Sequence, residues 1–219
     1  MEERNIVKAK KEEFAIKEYV KFSLGKREIS SVKIEYTPVG TKIIVSTHKP
    51  GLVIGRKGER IEELTADLKK NFKLENPHIE IDEITEPEFD AQINADEIAL
   101  TLERFGPLRF KSTAYRTLQK IIDAGALGVE IRLGGKLPGS RAKSWRFSQG
   151  YLKKAGEPAK MVSSAQSRAQ TKPGTVGIKV SILSPHIQLK DRVKIDKALI
   201  EKLKKNLLEL EQKLNKVKK

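Results

Sequence analysis

The sequence predicts an α+β protein: a first mixed unit, a second α/β two-layer unit, and a basic C-terminal helix. Three observations carry this reading. Apolar residues recur at helical spacing in some segments and alternate at strand spacing in others, and the two patterns exchange several times along the 219 residues. The acidic, proline-bearing stretch "EITEPEFDA" interrupts both patterns and reads as a linker. The last segment sets an apolar seam among lysines. The predicted boundaries are 1–85, 86–190 and 191–219.

The first unit opens with a helix over 10–24, on which Ala15, Tyr19 and Phe22 share a face with Ile16 and Val20 beside them, and Gly25 is the expected stop. "SVKIEYTPVGTKIIVST" predicts a hairpin, with Val32, Ile34 and Tyr36 alternating on one strand, Ile43 and Val45 on the other, and "TPVG" as the turn. A helix from Gly58 to about Lys70 carries Ile61, Leu64 and Leu68 on one side, and "HIEIDEI" follows as a third strand. In the second unit "AQINADEIALTLERF" predicts a helix started by a capping box at "NADE". "LRFKSTAYRTLQKIIDAG" predicts another, closed at Gly125. "GVEIRL" and "GIKVSIL" are β-branched runs expected in one sheet, and between them lies a long basic stretch. In the tail, Ile200, Leu203, Leu207, Leu210, Leu214 and Val217 form a coiled-coil seam. It is too short to hold alone, so it is expected to dock on a partner protein or back on the body of the chain.

Charge narrows the partner. The net charge is +15, but residues 1–133 are nearly neutral and the excess lies in 134–219, as expected for a polyanionic partner met by the last third. There are no cysteines, which excludes disulfides, thiolate metal sites and cysteine nucleophiles and fits a reducing compartment. The start "MEERNIVKAKKEEF" lacks the apolar run of a signal peptide or membrane span, so the expected location is the cytoplasm, away from any membrane. His48, His78 and His186 are scattered without ligand spacing, and no nucleophile–base arrangement is visible; the chain is not expected to be an enzyme or to carry a cofactor.

The most informative stretch is "KPGLVIGRKGERIEEL", beginning at Lys49. A nucleotide-binding P-loop fails on spacing, because Gly51 and Gly55 are four apart and no hydroxyl residue follows Lys57. A dinucleotide fingerprint lacks its first glycine pair. The reading that fits is I-G-x-x-G-x-x-I. Gly55 and Gly58 let nucleic-acid backbone lie against protein backbone, and Arg56, Lys57 and Arg60 add charge at the start of a helix. Ile54 and Ile61 are expected to anchor the loop to the core. This is the GXXG loop of a KH domain, a clamp for single-stranded backbone, and the helix and strand preceding the core resemble the type II arrangement.

Together with "ENPHIEIDEI", "DAQINADEIALTLE", "AGALGVEIRLGGKLPGSRAK", "FSQGY" and "GTVGIKVSIL", this stretch resembles the universal S-three family of small-subunit ribosomal proteins, in its archaeal or eukaryotic form. The resemblance runs through residues 10–185. It implies a place in the head of the small subunit, contacts with ribosomal RNA and neighbouring head proteins, and a position at the mRNA entrance. Bacterial relatives carry a basic cluster on the helix before "GALG". The matching stretch here is "FKSTAYR", where Lys111 and Arg116 match basic positions, Ser112 and Tyr115 replace further charge, and Arg109 lies next door. Lys136, Arg141, Lys143 and Arg146, with Trp145 and Phe147 interleaved, are the expected ribosomal RNA contacts of the basic stretch. The rival reading is a free-standing KH regulator or RNA chaperone.

Overall fold

The computed structural model describes residues 2–25, 29–38, 40–72, 74, 76–187, 189, 200, 203, 204 and 207. The first unit is α1 (Glu2–Leu24), β1 (Ser31–Thr37), β2 (Gly40–Thr47), α2 (Pro50–Ile54), α3 (Glu59–Phe72) and β3 (His78–Glu83). Its sheet has the order β1-β2-β3; β1 and β2 are antiparallel, and β2 and β3 are parallel. A hairpin joins the first pair. The parallel pair needs a crossover, which α2 and α3 supply. That order of elements is the type II KH arrangement.

The core sits where three stripes meet. Ile43 and Val45 of β2 face Ile79 of β3, and Leu64 and Leu68 of α3 pack over them. From α1 the contributing stripe is Ile16, Val20 and Leu24, spaced four apart so that they stack on one helical face. The expected face through Ala15 and Phe22 is displaced: Ala15 is exposed and Phe22 is 82% exposed, while Tyr19 bridges to α3, its hydroxyl donating to Asp67 at 3.0 Å. The cause is the four-residue rise of the stripe. Leu24, absent from the expected face, lies above Val20, whereas Phe22 is turned half a revolution away. Helix α1 also begins well before residue 10. Tyr36 alternates correctly but is exposed, with charged rather than apolar residues of α1, Lys10, Glu12 and Glu13, as its neighbours.

The second part contains α4 (Ala91–Phe105), α5 (Phe110–Asp123), β4 (Gly128–Gly135), β5 (Lys143–Gly150), β6 (Ser163–Thr171) and β7 (Gly174–Leu183). The sheet is antiparallel throughout, with order β5-β4-β7-β6. The two β-branched runs pair directly, Ile131 opposite Val180 and Leu133 opposite Ile178. Helices α4 and α5 cover one face, burying Ile98, Leu102, Phe110, Leu118 and Ile121 against Val129, Ile131, Leu133, Val176, Ile178, Val180 and Ile182. The opposite face is covered at the end where Gly128 and Leu183 are buried and open over the rows of Arg132 and Gly134.

One expectation is corrected here, and one segment gains a structure. The cap of α4 is Asp90, not the "NADE" box; its carboxylate accepts from the Gln92 N–H at 2.7 Å. Asn94 is buried inside the helix, its amide donating to the carbonyls of Pro87, Glu88 and Asp90 and so tying down the incoming chain. The basic stretch is also not simply a charged connection. It holds strands β5 and β6, the first anchored by buried Phe147 and half-buried Trp145.

Asp90 also joins the two parts, because its second oxygen accepts from the Ser30 hydroxyl just before β1. The Ile84 N–H donates to the Thr47 carbonyl at 2.8 Å, so the linker leaves β3 along the end of β2. The expected helix over 191–219 lies almost wholly outside the described residues; Ile200, Leu203 and Leu207 are helical and exposed.

Candidate nucleic-acid interface

The GXXG loop is built by two short helical pieces meeting at a reversal. Helix α2 ends at Ile54, and the Gly55 N–H closes its last turn on the Gly51 carbonyl at 3.1 Å. Gly55 then turns the chain at φ 75°, ψ −170°, and Lys57 (φ 55°) and Gly58 (φ 85°) are both left-handed before α3 begins. Holding a lysine in the left-handed region costs on the order of 1 kcal/mol. The loop is thus strained at the residue whose side chain it presents. Arg56 and Lys57 are exposed at the turn, and Lys49 is exposed at the start of α2.

Arg60 serves the loop itself. Its Nη1 donates to the Leu52 carbonyl at 2.7 Å, and its stem lies over Gly55, where an added Cβ would stand 3.1 Å from the Arg60 Cβ. The expected anchor is corrected: Ile54 is 37% exposed, and the residue sunk in the core is Val53, with Ile61 partly buried beside it. In an amphipathic helix this short only one position points inward, and it is the one before the isoleucine. The first turn of α3 holds Glu59 and Glu62. The positive end of this helix is therefore partly answered by the chain's own carboxylates, leaving Arg56 and Lys57 as the main cations of the turn.

A second group of cations surrounds the start of α5. The Arg109 guanidinium lies 5.5 Å from the centre of the Phe105 ring, and the Lys111 ammonium 4.6 Å from that of Trp145 on β5. Phe110 is buried beneath them, 5.4 Å from Trp145. Tyr115, exposed on α5, meets Phe147 edge-on at 5.0 Å. Arg116 is exposed on the same helix. Phe110, Trp145 and Phe147 therefore form a core-held platform beside Lys111, while Phe105, next to Arg109, is itself exposed.

The basic stretch is divided by the sheet. Lys143 stands opposite Gly135, on the side of Trp145 and α5; Arg146 stands opposite Arg132, on the open side. Lys136 and Arg141 are exposed in the connection between β4 and β5. On the open side Arg146 meets residues that sequence reasoning did not single out. Glu130, with only 4% of its surface exposed, accepts a hydrogen bond from Arg132 and is ion-paired with Arg146 at 3.1 Å and with Lys154 at 2.5 Å. Burial pushes its carboxyl upward, but hydrogen bonds from Lys154 and Arg132 and the charges of both outweigh this and hold it below the ordinary value. The signal was present in "GVEIRL", where Glu130 and Arg132 alternate with apolar residues and so share the face away from the core.

At the junction of the two parts, His48 has its Nδ1 buried without a hydrogen-bond partner. Burial, then the neighbouring Lys49, lowers its pKa. Among the described residues no group of His, Asp or Glu could hold a metal ion, and no helix is long and apolar enough to cross a membrane.

Comparison with known proteins agrees with this geometry. Residues 15–89 match the family model described as KH domain, and residues 98–182 that described as Ribosomal protein S3, C-terminal domain. The chain is similar to small ribosomal subunit protein uS3 of Methanocaldococcus jannaschii, 42% identical over 88% of this chain and 92% of the relative. It is also similar to uS3 of Methanosphaera stadtmanae, 40% identical over 89% of this chain and 77% of the relative, and of Methanococcus maripaludis, 39% identical over 89% and 92%. An α+β chain with a GXXG loop in its first sheet domain and a basic antiparallel sheet in its second, matched along most of its length by these relatives, belongs to the uS3 family of small ribosomal subunit proteins.

Proposed function

We propose that the chain is a structural component of the small-subunit head in the cytoplasmic ribosome, that it binds ribosomal RNA, and that it lines the mRNA entrance. It acts as a scaffold without catalysis, divided in function as 1–85, 86–190 and 191–219. The observation that carries the reading is the cation platform at the start of α5, where Arg109 and Lys111 lie over aromatic rings, with Arg116 exposed further along the same helix. Cations held in this way point to a single-stranded polyanion passing over them, since phosphates meet the charges without any need for base readout.

Lys49, Gly55, Arg56, Lys57 and Gly58 supply a second RNA-competent surface, with Arg60 bracing it. Lys136, Arg141, Lys143 and Arg146 supply ribosomal RNA contacts. Neighbouring head proteins are further partners, and the exposed apolar residues of the tail dock on a protein or back on the body of the chain. Sedimentation of tagged protein from native lysate, at low and high salt, tests the proposal. Co-migration with small subunits that survives the salt wash supports it; protein that stays at the top of the gradient at both salts overturns it in favour of a free RNA-binding regulator.

A further inference from the structure

We propose that the open face of the second sheet is a phosphate-binding surface for double-stranded RNA, with Glu130 as the positioning residue that arrays its cations. The class of partner rests on the ribosomal reading above; the surface and the role of Glu130 do not.

Strand register sets the surface. Arg132 on β4 pairs with Arg146 on β5 and with Lys179 on β7, so three cations stand in one row across three neighbouring strands. Strands are spaced about 4.8 Å apart, which leaves such a row strongly self-repelling unless an anion intervenes. Glu130 is that anion. It lies two residues along β4 on the same face and draws in Arg132, Arg146 and, from beyond β5, Lys154. Each of these three side chains keeps about half of its surface exposed, although the carboxylate they surround is buried. One negative charge therefore orders three positive ones and leaves the outward surface cationic.

The next row explains what can approach. Gly134 and Gly177 face each other, with Ser144 and Arg168 outside them. A Cβ on Gly134 would meet nothing within 4 Å, and on Gly177 only the Gly134 carbonyl at 3.8 Å. Beside the cation row the sheet is therefore a bare floor; on the row's other side Ser148, Ser181 and Ser164 stand in line with Glu130, and Gln166 ends the cation row itself. The strand positions of this face hold no aromatic ring; the exposed ring at its border, Tyr151 just past β5, already has the Lys153 ammonium 5.5 Å from its centre, so the floor itself offers unpaired bases no stacking partner. Phosphates are what it can take, and a duplex presents phosphates while keeping its bases stacked within.

The test uses the full chain carrying Arg56→Asp and Lys57→Asp, so that the GXXG loop does not contribute. The probe is a fluorescent RNA hairpin with a stem of about 16 base pairs, followed by anisotropy across a salt series. Arg132→Ser with Lys179→Ser is expected to flatten the dependence of log affinity on log salt by about one for each cation removed. Glu130→Gln raises the net charge yet is expected to weaken binding several-fold, because the array loses its organiser. Simple electrostatics predicts the opposite sign, so equal or tighter binding overturns the proposal. Gly134→Val suits a strand, fills open space and is expected to keep the melting curve while weakening the hairpin; unchanged affinity overturns the surface, even if Glu130→Gln fails to fold. Preference for an oligoglutamate peptide or for single-stranded oligouridine over the hairpin also overturns it. Since co-sedimentation of unaltered protein with small subunits is read separately, this inference and the ribosomal reading fail independently.

Discussion

The Lys111 ammonium lies 4.6 Å from the centre of the Trp145 ring, joining the first turn of α5 to the outer strand β5. Trp145 in turn leans on Phe110, so one half-buried indole supports both a core ring and an exposed charge. Replacing it by leucine is expected to cost about 1–2 kcal/mol from the aromatic pair and the cation contact together. Lys111→Gln is expected to cost less than about 1 kcal/mol. Urea denaturation of the singles and the double variant measures the coupling; strictly additive losses would show that the lysine and the indole are merely neighbours.

The GXXG loop separates stability from binding. Lys57→Gly removes the left-handed strain but also adds chain entropy to the unfolded state. These two terms are each of order 1 kcal/mol, so little change in melting temperature is expected. Binding of single-stranded oligouridine is expected to fall. The pair Arg56→Asp and Lys57→Asp is expected to weaken mRNA engagement in reconstituted subunits while leaving incorporation intact, as followed by crosslinking and gradient sedimentation. Loss of incorporation would mean that the loop holds ribosomal RNA instead.

Glu130 predicts an acid limb in the stability curve. Its carboxyl is held below the ordinary value of 4.5 in the folded chain. A depressed carboxylate contributes stability that is fully present above the unfolded value and is lost as pH falls through the folded one. The melting-temperature gap between the unaltered chain and Glu130→Gln is therefore expected to be constant near neutrality and to shrink on acidification below that value. A gap that widens on acidification contradicts the sign.

His48 predicts a second, milder limb. Burial, then Lys49, lowers its pKa from the ordinary 6.5. The folded chain favours the neutral ring, so this contribution is present above 6.5 and is lost as pH falls through the lowered value. His48→Gln should remove the limb, as read by melting temperature across the mildly acidic range.

Asp90 ties a helix cap to a domain contact. Asp90→Ala is expected to cost about 1–2 kcal/mol, the upper part of the range for a lost cap, because the Ser30 hydroxyl loses its acceptor as well. Ser30→Ala should cost less. Equal losses, measured by chemical denaturation, would show that the cap itself contributes nothing.

Much of this was legible in the sequence because periodicity was strong where burial was complete. Val32, Ile43, Val45, Leu64, Leu68 and the runs "GVEIRL" and "GIKVSIL" all face cores as their spacing required. The GXXG turn was legible because Gly55 takes a backbone, φ 75° with ψ −170°, that glycine alone adopts readily. Strand β6, "SSAQSRAQT", was not: on its inward face Ala165 and Ala169 suffice, since helix α4 packs close and leaves no room for larger side chains. The cap of α4 was misplaced because Asn94 and Asp90 are both good cap residues, and only the buried carbonyls before the helix decide which one caps and which one tethers. The Glu130 cluster stayed hidden because its cations come from three separate segments, two joined by strand register and the third, Lys154, brought in by the chain after β5.

The composition of β6 has a consequence for the protein before it meets its partners. As the last strand of its sheet it presents an edge that no further strand pairs, the usual template for aggregation, and near its end the Gln170 N–H is taken by the Glu103 carboxylate at 2.9 Å. Nine residues of serine, alanine, glutamine, arginine and threonine offer a second chain no apolar zipper to complete. The opposite edge, β5, carries Lys143 and Arg146. A newly made copy, waiting in a crowded solution for a site on its particle, thus has both borders of this sheet guarded against pairing with its siblings.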